Sequence, residues 1–226
     1  RSSKMKKGFV LFYSLGLFVF SLSAQAISPE ALQLQSAWEH ANYELTDKQQ
    51  IEAFESLTAK ADEIKKLSPD QPDVLIWRGI IYASYAGIKG GLGALSMAKT
   101  AKADLEKAIE IDDQALNGSA YTTLGTLYYK VPGWPLGFGD KATAEKLLKN
   151  ALRLNPQGID SNYFYALFLV DKKQYKKAES YLLFAKKAAP RADRPLADKG
   201  RLMEIDKALA EVNKHMNNQT HANTVN

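Results

Sequence analysis

From Ser28 onward, apolar residues recur at three- and four-residue steps, the spacing that lays one face of a helix against a core. Ser28 stands where a cap is wanted and Pro29 where a first helical turn tolerates proline, so a first helix is predicted to about Tyr43, with Trp38 facing inward. Thr46-x-x-Gln49 has the form of a capping box. After it, Phe54, Leu57, Ala61 and Ile64 mark the apolar face of a second helix, and Ser68-Pro69-Asp70-Gln71-Pro72 ends it. No segment of comparable length alternates with period two. The pattern predicts an all-α fold without a sheet.

The middle of the chain repeats. Tetratricopeptide-like (TPR) helix pairs need a small residue where two antiparallel helices cross, because axes only ~8–10 Å apart leave no room for a bulky one. Ile159 to Pro190 meets this best: Ala166 and then Leu169 in a first helix, the turn Asp171-Lys172-Lys173-Gln174, then Ala178, Leu182 and Ala185 in a second. The unit before it uses Tyr121, Leu124, Gly125 and Tyr128, then Ala144, Leu148 and Ala151, ending at Asn155-Pro156. The first uses Leu75, Gly79 and Tyr82, then Ala101, Leu105 and Ala108, ending at Asp112-Asp113. Residues 73–190 are thus predicted to form three TPR-like repeats of an α-solenoid, after an N-terminal helix pair in 27–72. A capping helix follows in 191–213, opened by Asp193-Arg194-Pro195, with Leu202, Ile205, Leu209 and Val212 as its apolar face. Residues 214–226 are polar and aperiodic and read as a disordered tail.

The spacings single out two insertions. Ala166 and Ala178 are 12 residues apart, Gly125 and Ala144 are 19, and Gly79 and Ala101 are 22. The surplus falls in the turn inside a helix pair both times, so the two insertions are predicted to share one edge. The first, Tyr85 to Met97, carries Gly87, Gly90, Gly91 and Gly93. The second, Lys130 to Asp140, carries Pro132, Gly133, Trp134, Pro135, Gly137, Phe138 and Gly139. Two readings stand side by side. Large aromatics usually serve packing, so Trp134 and Phe138 fold back between repeats. Alternatively the edge binds a ligand or partner, with Tyr85, Trp134 and Phe138 as the wall and Lys89 and Lys130 as charge at its mouth. Asp140 reads as a helix N-cap.

The N-terminal segment is of another kind. Lys6 and Lys7 precede an apolar run from Gly8 to Leu22, and Ser23-Ala24-Gln25-Ala26 supplies an A-x-A site. The run is short of a membrane span of ~20 residues. Residues 1–26 therefore read as a cleavable signal peptide, which predicts a periplasmic location and no stable membrane anchor after cleavage. This segment holds Arg1, Lys4, Lys6 and Lys7 and no acid, and without it the formal charge falls from +5 to +1. The remaining charge gives no footprint for nucleic acid. The chain has no cysteine, so disulfides do not contribute to its stability.

Little in the sequence points to catalysis. Gly90-Gly91-Leu92-Gly93 follows no strand and has neither dinucleotide-fingerprint nor P-loop spacing. His40, His215 and His221 form no spaced ligand cluster, so no metal is predicted. Glu110 and Asp112 suit a solvated helix face, and the Ser and Thr of residues 119–126 have no plausible histidine partner. Tyr163, Phe164, Tyr165 and Phe168 cover most of a helix circumference, so some are core and one or two face the concave groove. The expectation is a binding or adaptor protein without catalytic residues or cofactor. The alternative is a structural scaffold of a cell-envelope assembly with no small ligand.

The stretches VPGWPLGFGD (131–140), NPQGIDSNYFYA (155–166) and RPLADKGR (194–201), with SYAGIKGGLGA (84–94) and NGSAYTTLG (117–125), resemble the T-component proteins of TRAP transporters and their TPR-containing periplasmic relatives. The resemblance runs over residues 30–213 and includes the unusual insertions. It implies an α-solenoid in the periplasm that contacts a solute-binding protein, with a homo-oligomer, a ring-like trimer in the studied type, as a further implication. That type is a lipoprotein; this sequence lacks the lipobox cysteine.

Overall fold

The computed structural model describes residues 26–91 and 93–224; the predicted signal peptide, residues 1–26, lies outside them except for Ala26. Nine α-helices build the described fold: α1 Pro29–Tyr43, α2 Asp47–Leu67, α3 Pro72–Lys89, α4 Ala94–Ile111, α5 Ser119–Lys130, α6 Lys141–Leu154, α7 Ile159–Asp171, α8 Tyr175–Lys186 and α9 Pro195–Thr224. No strand occurs among the described residues; a single backbone bridge joins Gly133 to Gly139. Two predicted caps are in place. Ser28 Oγ accepts from the Ala31 amide at 3.3 Å, and the Asp140 carboxylate accepts from the Thr143 amide at 2.6 Å. The capping box at Thr46 does not form. The neighbouring Gln50 side chain instead donates back to the carbonyl of Ala41 at 3.1 Å, tying α2 to the end of α1.

The odd-numbered helices make a ring. α1 packs on α3, α3 on α5, α5 on α7, α7 on α9, and α9 returns to α1. The even-numbered helices pack outside it, each between its two sequence neighbours. Small residues allow these crossings. A Cβ on Gly79 would stand 2.7 Å from Leu105 Cγ, and one on Gly125 would stand 2.7 Å from Leu148 Cγ. Ala166 and Ala178 are fully buried. Overpacking such a contact costs typically about 1–3 kcal/mol, so Gly125→Leu is expected to lose that much in urea unfolding. A midpoint equal to wild type would show that α5 and α6 do not meet there.

The two insertions fold differently. The first is not a loop: α3 and α4 each run for 18 residues, and only four residues, 90–93, separate them in the chain. Its surplus residues keep the apolar period, with Ala86 and Ala98 both buried, so they lengthen the hairpin. The second, 131–140, is a true loop. It is pinned by Gly139 N–H to Pro132 O (2.9 Å), Gly137 N–H to Gly133 O (3.1 Å) and Asp140 N–H to Tyr128 O (2.8 Å). The insertions do share an edge: Leu95 Cδ1 lies 3.4 Å from where a Cβ on Gly137 would stand, and Lys102 Nζ of α4 lies 5.8 Å from the centre of the Phe138 ring.

Helix α9 departs from expectation at both ends of its pattern. Leu202 faces solvent; the buried face is Ala197, Ile205, Ala208 and Val212. The helix also continues through residues 214–224, read from the sequence as a disordered tail. Extending an existing helix avoids the cost of nucleating one, and His215 stacks flat on Tyr175 of α8, with ring centres 4.7 Å apart. As a cap, α9 covers α7 and α8 and also reaches the other end of the chain. Arg194 Nε donates to Glu39 of α1 at 2.6 Å, and the Tyr43 ring lies against the bare backbone of Gly200.

Candidate functional site

The helix ring encloses a cavity of about 610 Å³, within the ~300–1,000 Å³ typical of small-molecule sites. One face of each odd helix supplies its wall. Trp38 comes from α1, Trp77 and Ile80 from α3, Leu127 from α5 and Phe164 from α7, and Leu95 of α4 joins them. On α5 the lining positions Ser119, Thr122, Thr123, Thr126, Leu127 and Lys130 follow helical spacing, so one stripe carries four hydroxyls and a terminal cation. The two indoles lie 5.8 Å apart, and Trp38 Nε1–H donates to Ser84 Oγ at 2.9 Å.

Charge is concentrated where α7, α9 and the segment before α9 meet. Arg191, Arg194, Arg201 and Asp160 all line the cavity. Asp160 accepts from Arg191 at 2.7 Å and from Arg201 Nε at 2.8 Å. Arg191 also pairs with Asp198 at 2.6 Å, and Arg201 with Glu204. Arg201 packs over Tyr163 and Phe164, its guanidinium carbon 4.5 and 4.6 Å from their ring centres, and Arg194 lies over Trp77 at 5.2 Å. Burial by itself would push the Asp160 carboxyl up; the positive charges of Arg201, Arg191 and Arg194 outweigh it and hold the carboxyl well below the usual range. Burial raises the Tyr163 phenol to about 12. This corner is ionic and locked, while most of the remaining wall is apolar.

The residues named from sequence part company here. Lys130 lines the cavity. Tyr85 does not: it is 3% exposed, stacks on Phe54 in the core between α2 and α3, and accepts a hydrogen bond from Lys89 at 3.2 Å. Lys89 is thereby drawn over the Tyr85 ring, on the outside. Phe138 packs edge-on against Tyr128 at 5.4 Å, as the packing reading expected. Trp134 does the opposite and stands 90% exposed, with Leu136 73% exposed beside it. The loop's own backbone bonds close its base with these two side chains outside, so Trp134 does not plug the core. Phe164 reaches the cavity while Tyr163, Tyr165 and Phe168 are buried. The arginines were not singled out from sequence. Their signal was present: Arg194, Asp198 and Arg201 stand at i, i+4 and i+7, a charged stripe along one side of a capping helix.

No protein-family model matches this sequence, and no curated protein matches it significantly.

Proposed function

We propose that this protein is an exported, TPR-type α-solenoid that works as a binding and adaptor module, holding a ligand in its central cavity and meeting a protein partner at the loop 131–140. The observation that carries the reading is Trp134: a large aromatic 90% exposed, on a loop fixed by backbone hydrogen bonds, two residues from the cavity-lining Pro132. Tryptophan is among the residues that most often dominate binding energy at interfaces, and a rigid loop presents it without an ordering cost. The resemblance to TRAP T-components directs the partner search to a periplasmic solute-binding protein. A cavity of this size also has no evident use in a pure scaffold.

The test replaces Trp134 by a photo-crosslinking amino acid in the producing cell. A crosslink to a periplasmic solute-binding protein supports the adaptor reading; crosslinks only to cytoplasmic proteins, or none, overturn it. Trp134→Ala should leave stability within about 0.5 kcal/mol of wild type, because the side chain is in water, while abolishing the crosslinked partner's retention. A large loss of stability would return Trp134 to the core. N-terminal sequencing of the exported chain is expected to start at Ile27.

A further inference from the structure

We infer that the cavity binds a small amphipathic anion: a carboxylate-like head seated on Arg194 and an apolar body lying among Trp38, Trp77, Ile80, Leu127 and Phe164. The inference rests on the binding reading above and names the chemistry of its ligand.

The lining carries three guanidinium groups, and they are not equally engaged. Arg191 uses Nε and both Nη atoms on Asp198 and Asp160, and Arg201 uses Nε and Nη1 on Asp160 and Glu204. Arg194 donates only through Nε, to Glu39. Its two Nη groups make no hydrogen bond among the described residues, and its guanidinium carbon lies 5.2 Å from the centre of the Trp77 ring. Two parallel N–H groups at the edge of a cavity match the two oxygens of a carboxylate. Away from bulk water the pairing is stronger than it would be on the surface.

The same geometry disfavours other ligand classes. Asp160 is the one carboxylate lining the cavity among the described residues, and two arginines already hold it, so a cationic ligand finds no free carboxylate. A neutral apolar molecule would bury the Arg194 donors unpaired, at the cost of their hydration. A polyphosphate would need several uncommitted cations close together; besides the open fork of Arg194, Lys130 on α5 is the one lining cation without an acidic partner among the described residues. A single anionic head on an apolar body satisfies both parts of the wall. Straight-chain fatty carboxylates and flat aryl carboxylates share that chemistry.

Calorimetric titration of the purified chain with decanoate and 2-naphthoate tests the inference and separates the two sources, with decan-1-ol and decyltrimethylammonium as controls. Saturable one-to-one binding of at least one carboxylate, and none of the ammonium, is expected. Arg194→Gln should weaken carboxylate binding at least tenfold and leave decan-1-ol binding unchanged. Because Arg194→Gln also strips Glu39 of its partner, Thr123→Trp serves as a second variant. It fills the cavity from a lining position without breaking an ion pair and should abolish binding of both carboxylate and alcohol. Equal binding of decan-1-ol and decanoate, or unchanged decanoate binding by folded Arg194→Gln or Thr123→Trp, overturns the anion site and leaves the binding reading standing. Failure of the folded wild-type chain to take up either carboxylate also overturns it; the adaptor reading is then decided by the Trp134 crosslink alone.

Discussion

Arg201→Ala is expected to lower the unfolding free energy by about 2–3 kcal/mol, the loss of two hydrogen bonds to carboxylates that are only partly buried. The side chain is 9% accessible, donates to Asp160 at 2.8 Å and pairs with Glu204. Truncation leaves Asp160 to Arg191 alone and Glu204 with no cation in contact. It also removes the guanidinium plane from the faces of Tyr163 and Phe164. Urea unfolding at neutral pH measures the loss. Acid titration gives a second readout. The folded-state carboxyl of Asp160 is depressed, so the stability it contributes is complete above the ordinary Asp value of ~3.9 and is lost as pH falls through the depressed value. Without Arg201 that depression shrinks, and the acid limb should move to higher pH. Glu204 opposes this in the wild type: burial holds its carboxyl above the ordinary range, so protonating it relieves part of the strain of acidification. If the variant unfolds like wild type in both titrations, the network does not support the fold.

A larger loss, about 3–5 kcal/mol, is expected for Asp104→Ala at the other ionic centre of the molecule, where both members of the pair are buried. Asp104 sits on α4 with its side chain 2% accessible, and binds Arg78 of α3 and Lys65 of α2 (2.5 Å). Arg78 is itself largely covered and would keep only Asp62, at 2.6 Å; Lys65 is half-exposed and can turn to water. The loss should therefore come from Arg78. Replacing both members, as Arg78→Met with Asp104→Leu, should recover most of the stability, because a well-packed apolar pair costs no desolvation of charge. Equal losses in the single and double variants would mean that the shape of the pair matters and its charge does not.

How much of this was legible in the sequence depended on whether a feature was local. The helices could be read because each buries a stripe that repeats along its own length. Gly79 and Gly125 could be read because a crossing excludes side chains, and a glycine within a helical period has few other reasons to be there. The first insertion was misread because spacing counts residues without saying whether they coil; its apolar steps through Ala86, Leu95 and Ala98 were already those of a helix. Trp134 and Phe138 could not be told apart, being two aromatics of one Gly- and Pro-rich loop whose backbone path alone decides which turns inward. The cavity was out of reach for another reason. Its wall is assembled from alternate helices, and the contact that completes it, Arg194 with Glu39, joins residues 155 positions apart.

That contact also alters how the molecule comes apart. A row of helices with two free ends loosens from those ends, since each outermost helix has a neighbour on one side only. Here Glu39 with Arg194 and Tyr43 with Gly200 give the first and last helices a second neighbour, each other. The row has become a hoop, and a hoop has a seam in place of ends. Hydrogen exchange in α1 and α9 should rise and fall together, and a cut at that seam should free both termini at once.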